Sequence, residues 1–428
     1  MNNTTIAQKA EPSALFRWMI LLFVSLAMFG NYYVYDSISP LADLLAKQLK
    51  FSDSEIGLLN AIYSIPNVIM VLIGGIIVDK LGTRISSFIF AFLCFVGAAL
   101  TASSGDITVM AAGRLVFGLG AESLIVAVTT IIGRWFKGKE LSLAFGLNLT
   151  VARLGTFAAL NSPTWGKSFY NDWQMPLLIS VIAGVVSVVS VIVYWGMDTY
   201  AEKNLAVKET PKTDEIKLKE IFSFTPSYWF IVMLCITFYS AIFPFQTFAV
   251  KFFVESHGVS REMGGFLSSI LTLSAMILTP LFGLLSDAIG RRSMLMMIGS
   301  ALLIPVYLLM AYTHIYLYIP MITMGIAFSL IPAVMWPSVA LIVKEEKLGT
   351  AYGLMTMIQN IGLAGFNLLI GWANDYSGAS AQNPGGYNLG MWIFSSLGFF
   401  GLLFAYLLKK SEQGVGGHGL EKPTIGKA

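Results

Sequence analysis

The sequence predicts an all-α membrane protein with twelve transmembrane helices, arranged as two related bundles of six. The first observation is composition: of 428 residues, 56% are hydrophobic and 12% are charged, and the mean hydropathy is +0.72. A soluble domain carries about 25% charged residues, so this chain needs lipid as its solvent. The other two observations are a series of apolar segments of spanning length and a motif that recurs at a fixed offset.

Each spanning helix needs about 20 mostly apolar residues. Twelve segments meet this requirement, approximately 17–46, 54–79, 85–104, 106–134, 140–166, 174–196, 227–256, 262–286, 292–312, 315–343, 348–374 and 388–408. Several are longer than a bilayer is thick, which indicates tilted helices. The predicted units are a first bundle over 1–196, a cytoplasmic linker over 197–226, a second bundle over 227–410 and a cytoplasmic tail over 411–428.

The distribution of lysine and arginine predicts the orientation. With the N-terminus in the cytoplasm, the cytoplasmic side receives 20 of the 27 basic residues and the opposite side receives four. Three more, Arg114, Arg153 and Lys251, fall inside apolar segments. Because positive charge collects on the cytoplasmic side of membrane proteins, both termini are predicted to be cytoplasmic. The first apolar run is long enough to be a spanning helix rather than a cleavable signal peptide.

The composition argues against several other classes of protein. A net charge of +3, without basic runs interleaved with aromatic residues, does not favour nucleic acid as a partner. The two cysteines, Cys94 and Cys235, lie in apolar segments, and the three histidines lie outside helix centres, so no disulfide framework and no metal site are expected. The sequence contains no phosphate loop and no nucleophile triad. We therefore expect neither enzymatic activity nor a cofactor.

A ten-residue pattern ends the second segment and recurs at the end of the eighth. Gly75-Ile-Ile-Val-Asp79-Lys-Leu-Gly82-Thr-Arg84 and Gly283-Leu-Leu-Ser-Asp287-Ala-Ile-Gly290-Arg-Arg292 are offset by 208 residues at each shared position. Parallel six-helix repeats of this kind occur in secondary transporters. The shared Gly-x-x-x-Asp-x-x-Gly-x-Arg pattern resembles the signature loop of the major facilitator superfamily, which implies the major facilitator fold with two pseudo-symmetric bundles.

These loops are predicted to form a conformational gate on the cytoplasmic side. Asp79 can pair with Arg114 or with the basic loop 134–140, and Gly82 and Gly290 permit the tight turns. Such an ion pair would hold the cytoplasmic side closed and break when that side opens. The predicted gate residues are Asp79, Arg84, Arg114, Asp287 and Arg291. The alternative is a solvated turn whose charges only set the topology.

Two charged residues of the first half have no charged counterpart in the second half. Glu122 lies midway along the fourth segment and Arg153 midway along the fifth, at depths of about 18 Å and about 20 Å from the cytoplasmic side. A charge at the bilayer centre costs at least about 2.5–3.5 kcal/mol, so two charges kept in one half indicate function. The uncharged residues at the repeat-related positions are Ser329 or Leu330 and Asn360 or Ile361.

Glu122 and Arg153 are predicted to bind the two ends of a zwitterionic solute near the membrane midplane, where such transporters bind substrate. The carboxylate can hold an ammonium group, and the guanidinium can bind a carboxylate through two hydrogen bonds. One group of each sign favours a zwitterion over a simple anion, for which two or more cations are expected. The alternative is a structural salt bridge between the two side chains.

Several stretches in both halves are similar to a narrower family, the lysosomal dipeptide transporters called major facilitator superfamily domain-containing protein 1. They are Phe29-Gly30 with Tyr32, Ala61-Ile-Tyr63 with Pro66-Asn67, Gly113-Arg114 through Glu122, Trp135-Phe-Lys-Gly-Lys-Glu140-Leu, Ala152-Arg153, Phe243-Pro-Phe245, Gly349-Thr-Ala-Tyr-Gly353 and Ile358-Gln-Asn360-Ile-Gly-Leu-Ala364. The resemblance implies dipeptide transport, with Glu122 on the peptide ammonium and Arg153 on its carboxylate. The sequence lacks a Glu-x-x-x-Leu-Leu sorting signal and has short outer loops, so we expect a bacterial-type homologue in the plasma (inner) membrane.

Further polar and aromatic residues are predicted to contribute to the substrate site. They are Tyr32, Tyr35, Tyr63, Asn148, Gln246, Lys251, Trp336 and Asn360. The tyrosines could equally anchor the helices at the lipid interface, and Lys251 could be a second anion-binding group, part of an outer gate or a snorkelling side chain. Uncharged polar residues also join membrane helices; among them we favour a substrate role for Asn148 and Asn360.

The expected activity is secondary transport of a small zwitterion, a dipeptide, by alternating access in a monomer. The first helix lacks the Glu-x-x-Glu-Arg pattern of proton-coupled peptide transporters and reads Phe29-Gly-Asn-Tyr-Tyr33 instead, which favours uniport. Two alternatives stay open. One is an organic-anion or sugar-phosphate carrier that uses Arg153 and Lys251, with or without proton coupling. The other is a non-transporting membrane receptor or scaffold.

Overall fold

The computed structural model describes residues 11–136, 140–206, 224–313, 315–344, 347–414 and 417–423. This part of the chain contains twelve helices that are long and apolar enough to cross a membrane, which confirms the predicted all-α membrane fold. The helices that make up these spans are α1 (Ala14–Asp36), α2 (Asp53–Ala61), α3 (Ser64–Ser103), α4 (Ile107–Phe136), α5 (Leu141–Leu160), α6 (Gln174–Asn204), α7 (Pro226–His257), α8 (Arg261–Ile289), α9 (Arg292–Tyr312), α10 (Tyr318–Ile342), α11 (Leu348–Tyr376) and α12 (Asn388–Glu412).

Local sequence signals set the ends of the first helices. At the start of α1 the Ser13 hydroxyl accepts a hydrogen bond from the Phe16 amide at 3.2 Å, as expected of a good N-cap residue. Pro40 follows the end of α1 and has no amide hydrogen with which to continue the helix, so short helical turns over 39–49 lead to α2. A capping box formed by Ser52 and Glu55 then begins α2.

Helix α3 contains parts of two spans because a glycine interrupts it. Gly82 has a φ of +78°, which residues with a side chain rarely adopt. It separates the second span, which α2 begins, from the third. Gly290 occupies the repeat-related position between α8 and α9 and has a φ of +65°. Both glycines of the repeated motif therefore form the tight turns that the sequence predicts.

Successive spans run in opposite directions, which gives the molecule two distinct ends. We call the end at which α1 begins and α12 finishes the terminal end, and the opposite end the distal end. At the terminal end Arg17 lies 3.5 Å from Glu140, just before α5. At the same end the Ser227 hydroxyl of α7 donates to Glu412 of α12 at 2.6 Å. Each bundle thus joins its first helix to a later one at this end.

Helix α6 is longer than predicted and continues to Asn204 rather than to 196. Asp198 in this extension is fully buried and pairs with Arg84 at 3.3 Å and with Arg134 at 3.0 Å. These ion pairs hold the last turns of α6 against the first bundle. The predicted linker over 197–226 therefore starts later than expected. Its residues 207–223, with four of its five lysines, lie outside the described residues.

Part of the predicted tail over 411–428 packs against the second bundle. Residues 417–423 lie against the start of α9, where the Arg291 amide donates to the carbonyl oxygen of Glu421 at 3.2 Å. The Arg292 guanidinium donates to the carbonyl oxygen of Lys422 at 3.2 Å, and Leu420 is fully buried. The repeated motif of the second half is therefore covered by the chain's own C-terminal residues.

The two bundles meet closely at the distal end, where glycines let α2 and α11 touch. A Cβ atom on Gly57 would overlap the carbonyl oxygen of Asn367, and one on Gly371 would overlap that of Asp53. Small residues permit such close approach of membrane helices. Nearer the middle of the helices, a cavity lies between the bundles.

Candidate functional site

The cavity between the two bundles has a volume of about 240 Å³. Helices α1, α4 and α5 line it from the first bundle, and α7, α10 and α11 line it from the second. Its polar and aromatic lining includes Tyr32, Tyr35, Asp36, Glu122, Arg153, Tyr239, Trp336 and Gln359. Because both bundles contribute, any movement of one bundle against the other changes the shape of the cavity.

Glu122 and Arg153 both line this cavity. No ion pair joins them, and within the described ranges neither has a hydrogen bond or an ion pair to another residue. The Arg153 guanidinium lies between two rings, 5.9 Å from the centroid of Tyr32 and 5.5 Å from that of Phe328, distances at which cation–π attraction acts. The two charged groups are therefore open to a solute, and the structure does not contain the alternative salt bridge.

Close backbone packing holds these two side chains in place. Two residues after Arg153, a Cβ atom on Gly155 would overlap a carbonyl oxygen of α1. One turn before Glu122, a Cβ atom on Gly118 would overlap the carbonyl oxygen of Tyr63. Glycines at these positions bring α5 against α1 and α4 against the second span. The backbone that carries each charge is therefore fixed by its neighbour.

The aromatic residues Tyr32, Tyr35 and Trp336 line the cavity, as the sequence predicts for site residues. The indole N–H of Trp336 donates to the hydroxyl of Tyr239 at 2.9 Å. The hydroxyl of Tyr352 donates to the carbonyl oxygen of Trp336 at 3.1 Å. The first bond orients the indole, and the second holds the backbone of α10 that carries it.

Tyr63 and Asn148 lie behind the lining of the cavity rather than in it. The Tyr63 ring is almost fully buried and packs on Tyr35 with 4.7 Å between centroids. The Asn148 side-chain oxygen accepts a hydrogen bond from the Ser25 hydroxyl at 3.1 Å, which joins α5 to α1. Both residues therefore support the helices that carry the site.

Asn360 and Gln246 are also outside the lining. Asn360 is buried, and its amide donates to the carbonyl oxygen of Thr356 one turn earlier, at 3.0 Å. Gln246 is buried in α7. The neighbour of Asn360, Gln359, lines the cavity instead. Adjacent residues of a helix point about 100° apart, since a turn takes 3.6 residues, so Gln359 faces the cavity and Asn360 does not.

Lys251 does not line the cavity but forms an ion pair across the two bundles. Its ammonium group hydrogen-bonds the carboxylate of Asp53 and lies 3.9 Å from Glu255. Asp53 begins α2 in the first bundle, and Lys251 lies in α7 of the second. Of the alternatives that the sequence left open for Lys251, this geometry agrees with the outer gate.

Two further contacts join the bundles at the distal end. The guanidinium of Arg261, at the start of α8, donates two hydrogen bonds to Asp43, at 3.0 Å and 2.6 Å. The carboxylate of Asp375, at the end of α11, accepts from the backbone amides of Asp53 and Ser54, both at 2.8 Å. A carboxylate of the second bundle therefore caps a helix of the first, where free amides and the helix dipole favour negative charge.

The predicted pairing of Asp79 with Arg114 is corrected by the structure. Arg114 lies near the distal start of α4, about 30 Å from the terminal end at 1.5 Å per residue, whereas Asp79 precedes the terminal turn at Gly82. The buried Arg114 guanidinium donates to the carbonyl oxygens of Val34 at 3.0 Å and Leu59 at 3.1 Å. Arg114 therefore connects α1 and α2 at the distal end and takes no part in a terminal gate.

The other predicted gate residues lie at the terminal end. Arg84 pairs with Asp198 at 3.3 Å and with Glu202 at 2.5 Å, both in α6 of the same bundle. Asp79 is exposed there. Lys137 and Lys139 of the basic loop lie outside the described residues.

The second copy of the motif is arranged differently from the first. Asp287 pairs with Arg292 at 2.8 Å, within the motif itself. Arg291 is exposed and has a φ of +48°, a left-handed conformation that is uncommon outside glycine. The ion pairs described at the terminal end thus join residues of one bundle.

Sequence reasoning did not assign Asp36, Tyr239 and Gln359 to the site, and all three line the cavity. Asp36 could have been found, because it follows Tyr32 by four residues and so shares its helix face. Tyr239 left no such signal, and Gln359 left only its polarity in an apolar helix, since the faces of both residues depend on how α7 and α11 are rotated. The distal acids Asp43 and Asp375 were also missed, since they act between bundles.

Twelve membrane helices in two repeated bundles, around a central cavity lined by charged and aromatic side chains, define a secondary transporter fold. The family model described as Major Facilitator Superfamily matches residues 24–252 and 244–424. The chain belongs to this superfamily, and it is a membrane transporter rather than an enzyme.

Curated relatives include the "Lysosomal dipeptide transporter MFSD1" of Homo sapiens and of Danio rerio. The human protein is 34% identical over 383 residues, covering 86% of this chain and 82% of the relative. The zebrafish protein is 34% identical over 378 residues, covering 85% and 82%. A "Hexuronate transporter" of Escherichia coli (strain K12) is 28% identical over 164 residues, 38% of each chain. The family resemblance stated from the motifs is therefore confirmed.

Solved structures share the fold at low sequence identity. A bacterial homolog of the human lysosomal transporter Spinster has a TM-score of 0.72 and 16% identity, and the match covers 93% of this chain and 98% of that one. The nucleoside transporter NupG has a TM-score of 0.72 and 15% identity, with coverage of 91% and 98%. The predicted fold of two six-helix bundles is confirmed by these neighbours.

Proposed function

We propose that this transporter carries small zwitterionic solutes, namely dipeptides, with Glu122 holding the ammonium end and Arg153 the carboxylate end. The observation that carries the proposal is that both groups line one cavity and that neither has a hydrogen bond or an ion pair to a described residue. A charged side chain in mid-membrane is costly, so a ligand with one charge of each sign stabilises both the Glu122 carboxylate and the Arg153 guanidinium. The name of the relatives, lysosomal dipeptide transporter, supports the same substrate class.

Binding to the purified protein tests this proposal directly. A ligand that binds only the folded protein stabilises it by about 2.7 kcal/mol at 100 times its Kd, so alanyl-alanine should raise the melting temperature. Glu122→Gln and Arg153→Ala should each abolish that shift. Asn148→Ala is the matched control, because Asn148 is on the same helix as Arg153 but outside the cavity lining. Site variants that keep the full shift would disprove the assignment.

The charge of the cavity disfavours an organic-anion or sugar-phosphate carrier. Among the described lining residues Arg153 is the cation, whereas Asp36 and Glu122 are acids. Lys251, which that alternative needs as a second cation, is paired with Asp53. Competition separates the two functions: neutral dipeptides should displace a labelled dipeptide, and simple organic anions should not.

Asp36 adds a second carboxylate to the cavity, so the described lining carries two acids and one base. A neutral dipeptide pairs with Glu122 and Arg153 and leaves Asp36 facing the solute. We therefore expect lysyl-alanine to bind more tightly than alanyl-alanine, and glutamyl-alanine more weakly. Asp36→Asn should reduce the difference between the two charged ligands, because it removes the group that distinguishes them.

The distal contacts support alternating access by movement of the two bundles. The ion pairs of Lys251 with Asp53 and of Arg261 with Asp43 close the distal end in this conformation, and they must break for the cavity to open there. We propose uniport, as the first helix suggests. Uptake of a labelled dipeptide into proteoliposomes should follow its own gradient and stay unchanged when a pH gradient is imposed or collapsed. Reconstituted protein without dipeptide flux would favour a receptor or scaffold instead.

We infer that the terminal end faces the cytoplasm of a bacterial-type cell and that the protein works as a monomer in the plasma membrane. The excess of lysine and arginine on the terminal side supports this orientation. An epitope added before residue 11 should be accessible to antibody only after the cells are permeabilised. Labelling of intact cells would indicate the opposite orientation.

A further inference from the structure

A second cavity of about 360 Å³ adjoins the first. The two share three lining residues, Arg153, Tyr239 and Trp336. The remaining lining comes from α5, α8 and α10 and includes Leu149, Ala275, Met276, Phe328 and Pro332. Leu149 precedes Arg153 by one turn in α5, so the second cavity extends from the site toward the terminal end.

The two cavities differ in chemistry. Glu122 and Asp36 line only the first. Among the described residues that line the second, Arg153 is the charged one, and Thr150 and Thr279 add hydroxyl groups to a largely apolar wall. The first cavity therefore suits the charged backbone ends of a ligand, and the second suits an apolar group.

We propose that the second cavity is the subsite for the side chain of the carboxylate-bearing residue of a dipeptide, and that it selects an aliphatic or aromatic side chain there. The proposal rests on the dipeptide function proposed above. Arg153 lies at the boundary of the two cavities, so a carboxylate bound to it places the attached Cα at that boundary. The ammonium end extends to Glu122 through the first cavity, which leaves the second for the side chain on that Cα.

Burial and charge predict the order of affinities. A leucine side chain buries three more carbon atoms than an alanine side chain, which tightens binding by about tenfold or more. A lysine side chain in the same place meets the Arg153 cation with no described acid in the lining, so it gains less. The same substitutions at the ammonium-bearing residue should follow a different order, because that side chain lies in the first cavity with Asp36.

The test compares four ligands on the purified full-length protein: alanyl-alanine, alanyl-leucine, leucyl-alanine and alanyl-lysine. Dissociation constants are measured by calorimetry. Alanyl-leucine should bind about tenfold more tightly than alanyl-alanine, and more tightly than leucyl-alanine or alanyl-lysine. Equal affinities for alanyl-alanine and alanyl-leucine would overturn the subsite and leave the dipeptide function intact. Absence of binding by all four ligands would overturn both.

Filling the cavity separates a subsite from a mere passage. Ala275→Phe places a ring in the second cavity, and it should weaken the binding of alanyl-leucine more than the binding of alanyl-alanine, which removes the advantage of the leucine side chain. Ile277→Phe is the matched control, because Ile277 is two residues further on α8, is 58% exposed and does not line the cavity. Met276→Trp provides a second filling variant, and the melting temperature without ligand reports folding. Equal weakening of both dipeptides by the filling variants contradicts a side-chain subsite.

Discussion

The distal and terminal ends of this transporter use their charged residues differently. At the distal end, Lys251 pairs with Asp53 and Arg261 pairs with Asp43, and each pair joins one bundle to the other. At the terminal end the described ion pairs, such as those around Asp198, join residues of one bundle. The same kinds of side chain therefore hold the bundles together at one end and strengthen each bundle separately at the other.

This difference identifies which contacts report on conformation. A pair that crosses between the bundles exists only while that end is closed, whereas a pair inside one bundle can persist through the whole cycle. Variants of the distal pairs should therefore shift the equilibrium between conformations, and variants at Asp198 should instead change the stability of the folded protein. Four substitutions at the distal end test this contrast, and their expected effects decrease in the order given.

Gly371→Ala should have the largest effect. The added methyl group would overlap the carbonyl oxygen of Asp53, and backbone cannot move aside as a side chain can, so closure of the distal end should cost about 3 kcal/mol or more. A cysteine placed at Thr156 in the cavity should become more reactive to a membrane-impermeant thiol reagent added on the distal side. Gly365→Ala, on the same helix with open space around it, should leave the reactivity unchanged.

Asp53→Ala should have the next largest effect. Among the described acids, it leaves the buried Lys251 ammonium with the more distant Glu255, at 3.9 Å. Losing one partner of a buried ion pair costs about 3–5 kcal/mol, and we expect the lower end because Glu255 compensates in part. The double variant Asp53→Ala with Lys251→Met should recover most of the closed state, as read by the same cysteine assay. A double variant no better than the single one would contradict the ion-pair explanation.

Asp375→Asn should have a moderate effect, about 1 kcal/mol, the usual contribution of a helix cap. The two carboxylate oxygens of Asp375 each accept a hydrogen bond from one backbone amide of α2, at 2.8 Å. An asparagine side chain has one oxygen and no negative charge, so it cannot replace both contacts. The transport rate and the distal reactivity of the cysteine should both change, but less than in Asp53→Ala. An equal change in cysteine reactivity for Asp375→Asn and Asp53→Ala would contradict the expected difference between the helix cap and the buried ion pair.

Lys167→Ala should have the smallest effect, below about 1 kcal/mol, because its partner contact is at the surface. Lys167 pairs with Glu262 at 2.7 Å, but the Lys167 side chain is 77% exposed. Raising the salt concentration should remove the effect of this variant, since exposed pairs are screened. It should leave the effect of Asp53→Ala largely in place, because that pair is buried.

Much of the fold could be predicted from sequence, because the bilayer imposes it. Apolar length fixed the twelve spans, and the repeat at offset 208 fixed the two halves. The asymmetry of the repeat indicated Glu122 and Arg153, and both line the cavity. These inferences share one basis: each depends on position along a helix, which sequence shows directly.

The remaining features depend on contacts between helices, which one sequence does not show. Arg114 was assigned to the terminal gate although it lies at the distal end, where backbone carbonyl oxygens satisfy it. Asn360, predicted to bind substrate, does not line the cavity, because one sequence does not show how α11 is rotated. The sequence leaves three alternatives open for the role of Lys251, because its partner Asp53 belongs to the other bundle.

The guanidinium of Arg114 has a consequence for how the distal end can open. It donates to Val34 and Tyr35 in α1 and to Leu59 in α2, so these helices are tied to α4 by one buried group. Spin labels on the distal parts of α1 and α2 should keep a constant separation during turnover, while the distance from either label to α7 or α11 fluctuates. These three helices then move as one rigid body, and the hinge of the movement lies outside them.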